Sequence, residues 1–307
     1  MILLSDYANN VLFGRKYRII VSDNNGVGLD VSELHCTFQI EKSISETPNY
    51  SEVVIYNLSP DSENAIIKEG AKIVVEAGYD SPQYGLIFTG DIVQPYREKE
   101  DGITYKLTLV SQDGDLFMNN GIINASYRAG QTTRRMIEEI ASKSSNKIDL
   151  GSISNNLKQG ALSRGKVLFG LSRDCLRQIA KSEEAAFFIN DGKINLVKAE
   201  DLPEGEIISL GPDSGLIGTP EQTDDGITAQ CLLNPLLNLN KFVYIDNTLI
   251  QEMKVSNDGS LKQIEGSGVY RIIKITHTGD TRGDTWYTEF TAVAQAGAKP
   301  VTGESLR

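Results

Sequence analysis

Histidine is nearly absent: His35 and His277 are the only two in 307 residues. A Ser-His-Asp or Cys-His centre needs a histidine beside its nucleophile, yet neither residue flanks such a motif, and the chain has no Gly-x-Ser-x-Gly turn. Cysteine is equally sparse. Cys36, Cys175 and Cys231 are odd in number and far apart, so they read as small buried hydrophobes, not as a disulfide framework or a metal site. No run approaches the roughly 20 apolar residues of a membrane-spanning helix. The first residues, Met1 to Tyr7, combine no basic region with a very short apolar run, which is not the pattern of a secretory signal. Synthesis and assembly in a cytoplasm are therefore expected. Phosphate-cradling loops are missing too, because Asn25-Gly26-Val27-Gly28 has the wrong spacing. A basic excess is also lacking: Lys and Arg number 30 against 41 Asp and Glu, for a net charge of −11. Affinity for nucleic acid rests largely on cations neutralising phosphates, so specific DNA or RNA binding is not expected. An acidic surface suits a soluble exterior, or a conduit through which nucleic acid slides without sticking.

What the chain does have is strand patterning at both ends. Lys16 to Val21 reads as a strand, with turn residues at Asp23-Asn24-Asn25-Gly26. Leu34, Cys36, Phe38 and Ile40 alternate with polar residues, as a half-buried strand requires. After a strand at Val53 to Tyr56, Ser59-Pro60-Asp61-Ser62-Glu63 supplies a capping hydroxyl, a proline and first-turn carboxylates. A short helix is predicted to about Lys68, stopped by Gly70. Strands Lys72 to Ala77, Leu86 to Val93 and Thr104 to Val110 follow, the last two joined across Lys99-Glu100-Asp101-Gly102.

The period then changes. Thr132 or Thr133 caps a helix with Met136, Ile137, Ile140 and Ala141 on one stripe, and Ser172 is expected to cap another that buries Cys175, Leu176, Ile179 and Ala180. Phe187-Phe188-Ile189, a turn at Asn190-Asp191-Gly192-Lys193, and Ile194 to Val197 form a hairpin. Ser142 to Lys147 reads as a surface connection.

Strand signals resume near Gly205 and repeat those of the first part. Val53 to Pro60, Lys72 to Val75 and the hairpin from Gly85 to Val110 are matched by Ala229 to Pro235, Lys241 to Tyr244 and the hairpin from Gly268 to Val293. A Thr-Pro pair precedes each copy, at Thr47-Pro48 and Thr219-Pro220. A protomer with two similar β modules can build a ring with twice the symmetry of its oligomer. Asp246 to Gly268 is a candidate protruding loop, and Ala296 to Arg307 a flexible tail.

Candidate chemistry is slight. His277 and Asp280 are a possible pair of metal ligands, but a site needs three or four donors, and a polar hairpin whose side chains bond the turn backbone is the expected arrangement. Glu138-Glu139 and Glu183-Glu184 fall on polar helix faces, not in the arrangement of a glycosidase pair. The basic cluster Arg128, Arg134 and Arg135 is too sparse to offset the acidic total. No catalytic, cofactor-binding or metal-binding residue is selected.

Several segments resemble baseplate hub proteins of contractile-tailed bacteriophages and prophages. Gly215 to Thr223, Asp225-Gly226-Ile227 and Leu232-Leu233-Asn234-Pro235 are similar to that family's second tube-like module. Tyr270 to Gly283, followed by Trp286-Tyr287-Thr288, is similar to its closing hairpin, while Phe13 to Arg18 and Tyr56-Asn57-Leu58-Ser59 are similar to the first module. The resemblance runs from about residue 11 to 295 and marks turns in a fold, not a reaction.

The resemblance implies a mainly β chain with an α+β insert: a first tube-like β-barrel or sandwich module at 1–118, a small α+β domain at 119–203, a second tube-like module at 204–295 and a tail at 296–307. It also implies a homotrimer of pseudo-sixfold symmetry, a structural virion protein and not an enzyme. Its partners would be the hexameric tail tube protein, the trimeric central spike protein and other baseplate components, with DNA passing through the lumen during ejection. Two alternatives are a hub at the tube tip of a non-contractile tail, and a cell-wall glycan hydrolase.

Overall fold

The computed structural model describes residues 4–5, 12–23, 26–80, 83–100, 102–157, 162–202, 205–223, 226–245 and 268–294. The turn residues Asn24 and Asn25, the C-terminal tail and the loop expected over Asp246 to Gly268, apart from Gly268 itself, lie outside them; Gly268 opens a strand. The chain is mainly β with few helices, as its alternating patterns predict.

A short β1 (Leu4–Ser5) is followed by β2 (Arg15–Asp23), β3 (Gly28–Asp30), β4 (Cys36–Ser43) and β5 (Tyr50–Tyr56). Next come α1 (Pro60–Glu69), β6 (Gly70–Tyr79), β7 (Tyr84–Lys99) and β8 (Tyr105–Gln112). The chain continues through α2 (Asp115–Asn120), β9 (Ile122–Tyr127), α3 (Thr133–Lys143), β10 (Asp149–Ile153), β11 (Lys166–Leu171), α4 (Ser172–Glu183) and the hairpin β12 (Ala186–Asn190) to β13 (Lys193–Val197). It ends with β14 (Ile207–Leu210), β15 (Leu216–Thr223), β16 (Gly226–Leu232), β17 (Phe242–Ile245), β18 (Gly268–Asp280) and β19 (Trp286–Ala294).

The same strand order occurs twice. β4, β5, β8, β7 and β6 lie side by side in antiparallel pairs, and so do β15, β16, β19, β18 and β17. Each long hairpin skips one residue at the same place. Pairing of β7 with β8 passes from Ile92 to Gln94, and that of β18 with β19 from Ile272 to Lys274. Such a bulge bends and twists the strand that carries it. The likeness ends at the sixth strand, since β2 runs antiparallel to β6 whereas β14 runs parallel to β17. The two sets are joined into one sheet by β4 against β18, from Ser43 opposite Lys274 to Thr37 opposite Asp280.

Apolar side chains gather in three cores. One lies in the first strand set and takes in Leu233 and Trp286 from the second, a second lies among α2 to α4 and β9 to β13, and a third fills the second strand set. Cys36, Cys175 and Cys231 are buried free thiols, one in each core. Burial pushes the Cys36 and Cys231 thiols up to about 12.

Local signals account for several boundaries. Pro60 opens α1 and the Ser59 hydroxyl accepts from the Ser62 N–H. Thr132 caps α3, its hydroxyl accepting from Arg135 N–H. Ser172 departs from expectation: Leu171 is the cap of α4, and the buried Ser172 hydroxyl donates instead to Ser144 Oγ. For the same reason the connection expected at Ser142 to Lys147 is not wholly surface, because α3 runs on to Lys143 and Ser144 is buried.

Candidate interaction site

Two structures converge where the strand sets meet. The first is the turn between β18 and β19, which enters the first core. Trp286 is fully buried there, edge-on to Phe38 and Tyr17, with the Arg15 guanidinium over its ring. Arg15 donates to the carbonyls of Gly283 and Asp284, Arg282 donates to that of Glu33, and the Thr281 N–H donates to Cys36. Asp280 accepts from the Arg282 and Gly283 N–H groups and meets His35 Nε2 at 2.8 Å. Burial raises the Asp280 carboxyl, but these N–H groups and His35 more than offset it, so its pKa lies below the ordinary value.

His277 does not join Asp280. It is fully buried on the inner face, its Nδ1 2.8 Å from Thr288 Oγ1, and burial followed by the nearby Lys42 charge lowers its pKa to about 3. No cluster of three or more His, Cys, Asp or Glu suited to a metal ion occurs among the described residues. The arrangement expected from sequence, side chains bonding the turn backbone, forms at Asp280 but not at His277, whose partner is the Thr288 hydroxyl across the hairpin.

The second structure is the tip of the β12–β13 hairpin. Asp191 and Gly192 adopt left-handed φ values of 52° and 71°, the backbone that an Asp-Gly hairpin turn demands. This tip touches both strand sets. Asp191 Oδ1 meets the buried Lys42 Nζ at 2.6 Å, and Asp191 Oδ2 accepts from Asn190 and from Asn238. Gly192 N–H donates to Asp113 Oδ1, and Asn49 Nδ2 donates to the Ile189 carbonyl. Asp113 is buried, and its Oδ2 has no hydrogen-bond partner among the described residues. Burial and the neighbouring Asp191 charge raise its pKa to about 7, against the opposing pull of the Gly192 N–H and Lys42. A cleft of about 530 Å³ opens beside it, lined in part by Lys72, Asp91, Lys147 and Asp149.

The remaining candidates are structural. Glu138 and Glu139 pair with Arg135, and Glu139 also with Lys143, along one face of α3. Glu183 accepts from the Thr133 hydroxyl, while Glu184 ends α4 at φ 55°. Arg134 donates to the Ile153 carbonyl and to Asn155, whereas Arg135 pairs with Glu138 and Glu139. Sequence reasoning missed Lys42 and Asp113. Lys42 had a signal, being the next inward position after Cys36, Phe38 and Ile40.

A family described as "Baseplate hub gp41" matches residues 19–253. The chain belongs to that baseplate hub family. Its members are structural components of phage tails. Solved structures with the same fold include a 43 kDa tail protein of prophage MuSo2 from Shewanella oneidensis, at 9% identity and a TM-score of 0.59 over 91% of this chain and 97% of that one. A tail protein from Neisseria meningitidis MC58 gives 11% identity and a TM-score of 0.57 over 91% and 96%. The E. coli c3393 protein, a component of the type VI secretion system with structural similarity to T4 tail proteins gp27 and gp5, gives 12% and 0.52 over 89% and 77%. No curated protein sequence matches. No helix among the described residues is long and apolar enough to cross a membrane.

Proposed function

We propose that the chain is a trimeric hub whose six β modules form a pseudo-sixfold ring between the hexameric tail tube and the trimeric central spike. The observation that carries this reading is the strand order repeated within one chain, which gives three subunits six similar modules. The chain then divides at about residues 118, 203 and 295 into a first module, an α+β insert, a second module and a tail. The hub sits in the virion baseplate after assembly in the host cytoplasm, and DNA passes through its lumen without specific binding. The net charge of −11 supports that passage, because like charge keeps DNA from adhering to the wall. The hub has no catalytic role and needs no cofactor.

Light scattering on the purified chain, alone and with its tube and spike proteins, tests the reading. A trimer of about three chain masses is expected. A monomer in every mixture would falsify it. A sheath gene beside the hub gene distinguishes a contractile tail from a non-contractile one.

A further inference from the structure

The contact that joins the two strand sets within the chain has a counterpart that the chain leaves unmade. In the long hairpins, Val93 corresponds to Ile273 at the bulge, Lys99 to Gly279 at the last pair and Tyr105 to Trp286 across from it. Val53 opposite Leu109 likewise corresponds to Ala229 opposite Phe290, which makes β15 the counterpart of β4. On the side away from β19, β18 pairs with β17 along 268–271 and with β4 along 274–280. On the side away from β8, β7 pairs with β6 along 84–91, but no described strand lies against it along 94–99. The outer edge of β15 is also without a described strand. An open edge with unpaired N–H and C=O groups is a template for another strand.

Burial follows the same division. Ile275 and His277 are buried where β4 covers them, whereas their counterparts Pro95 and Arg97 are half-buried and exposed. Trp286 is 0% exposed in the core it enters, while Tyr105 is 47% exposed at the tip of the equivalent hairpin and Ile103 beside it is 84% exposed. Tyr105 thus stands half in water where its counterpart Trp286 fills a core, with the apolar Ile103 exposed beside it.

We propose that β15 of one copy pairs antiparallel with the second half of β7 of the next, and that the β7–β8 tip enters the second strand set of that neighbouring copy. The partner is a second copy of this chain, since the chain carries both halves of the contact and does not join them itself. The interface is head-to-tail, and it closes into a ring when the rotation it repeats does so. The number of copies rests on the trimeric-hub reading; the seam itself does not.

The internal seam also gives the register. Gln39, Ile40 and Glu41 lie opposite Thr278, His277 and Thr276. Their counterparts place Glu221 opposite Glu98, Gln222 opposite Arg97 and Thr223 opposite Tyr96. On its other side Glu98 meets Lys106 Nζ at 3.2 Å. Two carboxylates directly opposite disfavour pairing, so one charge reversal at this point should tighten the seam.

The test uses the full chain carrying Glu98→Cys and Glu221→Cys, treated with a short bis-maleimide and run on a denaturing gel beside each single variant. Covalent dimers and trimers from the double variant alone are expected, because directly opposed residues lie about 5 Å apart at Cβ. Glu221→Lys should strengthen association about two- to tenfold by sedimentation. Tyr105→Asp should dissociate the oligomer while leaving the monomer's circular dichroism intact, its side chain being exposed before assembly. A trimer that neither cross-links nor responds to Tyr105→Asp overturns the seam and leaves the hub reading standing. Cross-linked dimers without a trimer support the seam and count against the hub. A monomer in every mixture overturns both.

Discussion

Asp191→Asn tests whether the β12–β13 tip locks the insert to both strand sets. The change keeps the side-chain shape and a residue that tolerates the left-handed φ of 52°, but it removes the charge facing Lys42. The Lys42 side chain is only 1% exposed, so its ammonium cannot be rehydrated without moving the strand that carries it. Breaking a buried pair from one side typically costs about 3–5 kcal/mol, and the lower end is expected because the amide oxygen still accepts from Nζ. Adding Lys42→Met removes the stranded charge while keeping an unbranched apolar stem, so the double variant should recover to within about 1 kcal/mol of the parent. Equilibrium urea unfolding reads this through Trp286, the chain's single tryptophan, which lies at the same junction. A cost under about 1 kcal/mol for Asp191→Asn, or a further independent loss on adding Lys42→Met, would show that the Lys42–Asp191 pair does not lock the insert to the strand sets.

Stability should depend on pH through two opposed groups. His277, about 3 when folded against 6.5 ordinarily, makes stability rise with pH between those values; Asp113, about 7 against 3.8, makes it fall from about 4 to 7. The slopes largely cancel in the parent. Asp113→Asn should therefore unmask a rise, and His277→Asn a fall, each approaching about 1.4 kcal/mol per pH unit in urea titrations near pH 5. An unchanged slope in both variants would sink the assignment. Gly279→Ala should destabilise by about 1–3 kcal/mol and shift Trp286 emission, because a Cβ there meets the buried Phe38 ring. Native protein should leave Cys36 and Cys231 unreacted with a thiol reagent at pH 8 until denaturant is added; rapid native labelling would contradict their burial.

Local chemistry made much of the fold legible. Asn190-Asp191-Gly192-Lys193 announces its hairpin because few residues accept two successive left-handed positions. Ser59-Pro60 and Thr132 mark helix starts through groups that the backbone must satisfy. The repeat is visible because both copies need the same turns between the same strands. Other features depend on distant partners. β9 pairs with β11 some 40 residues later, and neither strand states that choice. Ser172 has a capping side chain, yet the buried Ser144 hydroxyl claims it. Alternation at Leu34, Cys36, Phe38 and Ile40 marked β4 as half-buried, but not that it belongs beside the far half of β18. Lys42 went unread although it follows the inward positions Cys36, Phe38 and Ile40, because its counter-charge comes from a turn 149 residues away.

The two-sided pairing of β18 has a mechanical consequence. Because one unbroken strand serves both sets, they cannot swing as beads on a linker; any change in their relative angle must shear a ladder of backbone hydrogen bonds or act at the bulge beside Ile273. The two strand sets of one chain are thus held at a single relative angle. In the ring proposed above, errors in that angle would add up from copy to copy, so the tolerance of the whole assembly would be decided within the single chain, before any neighbour arrives.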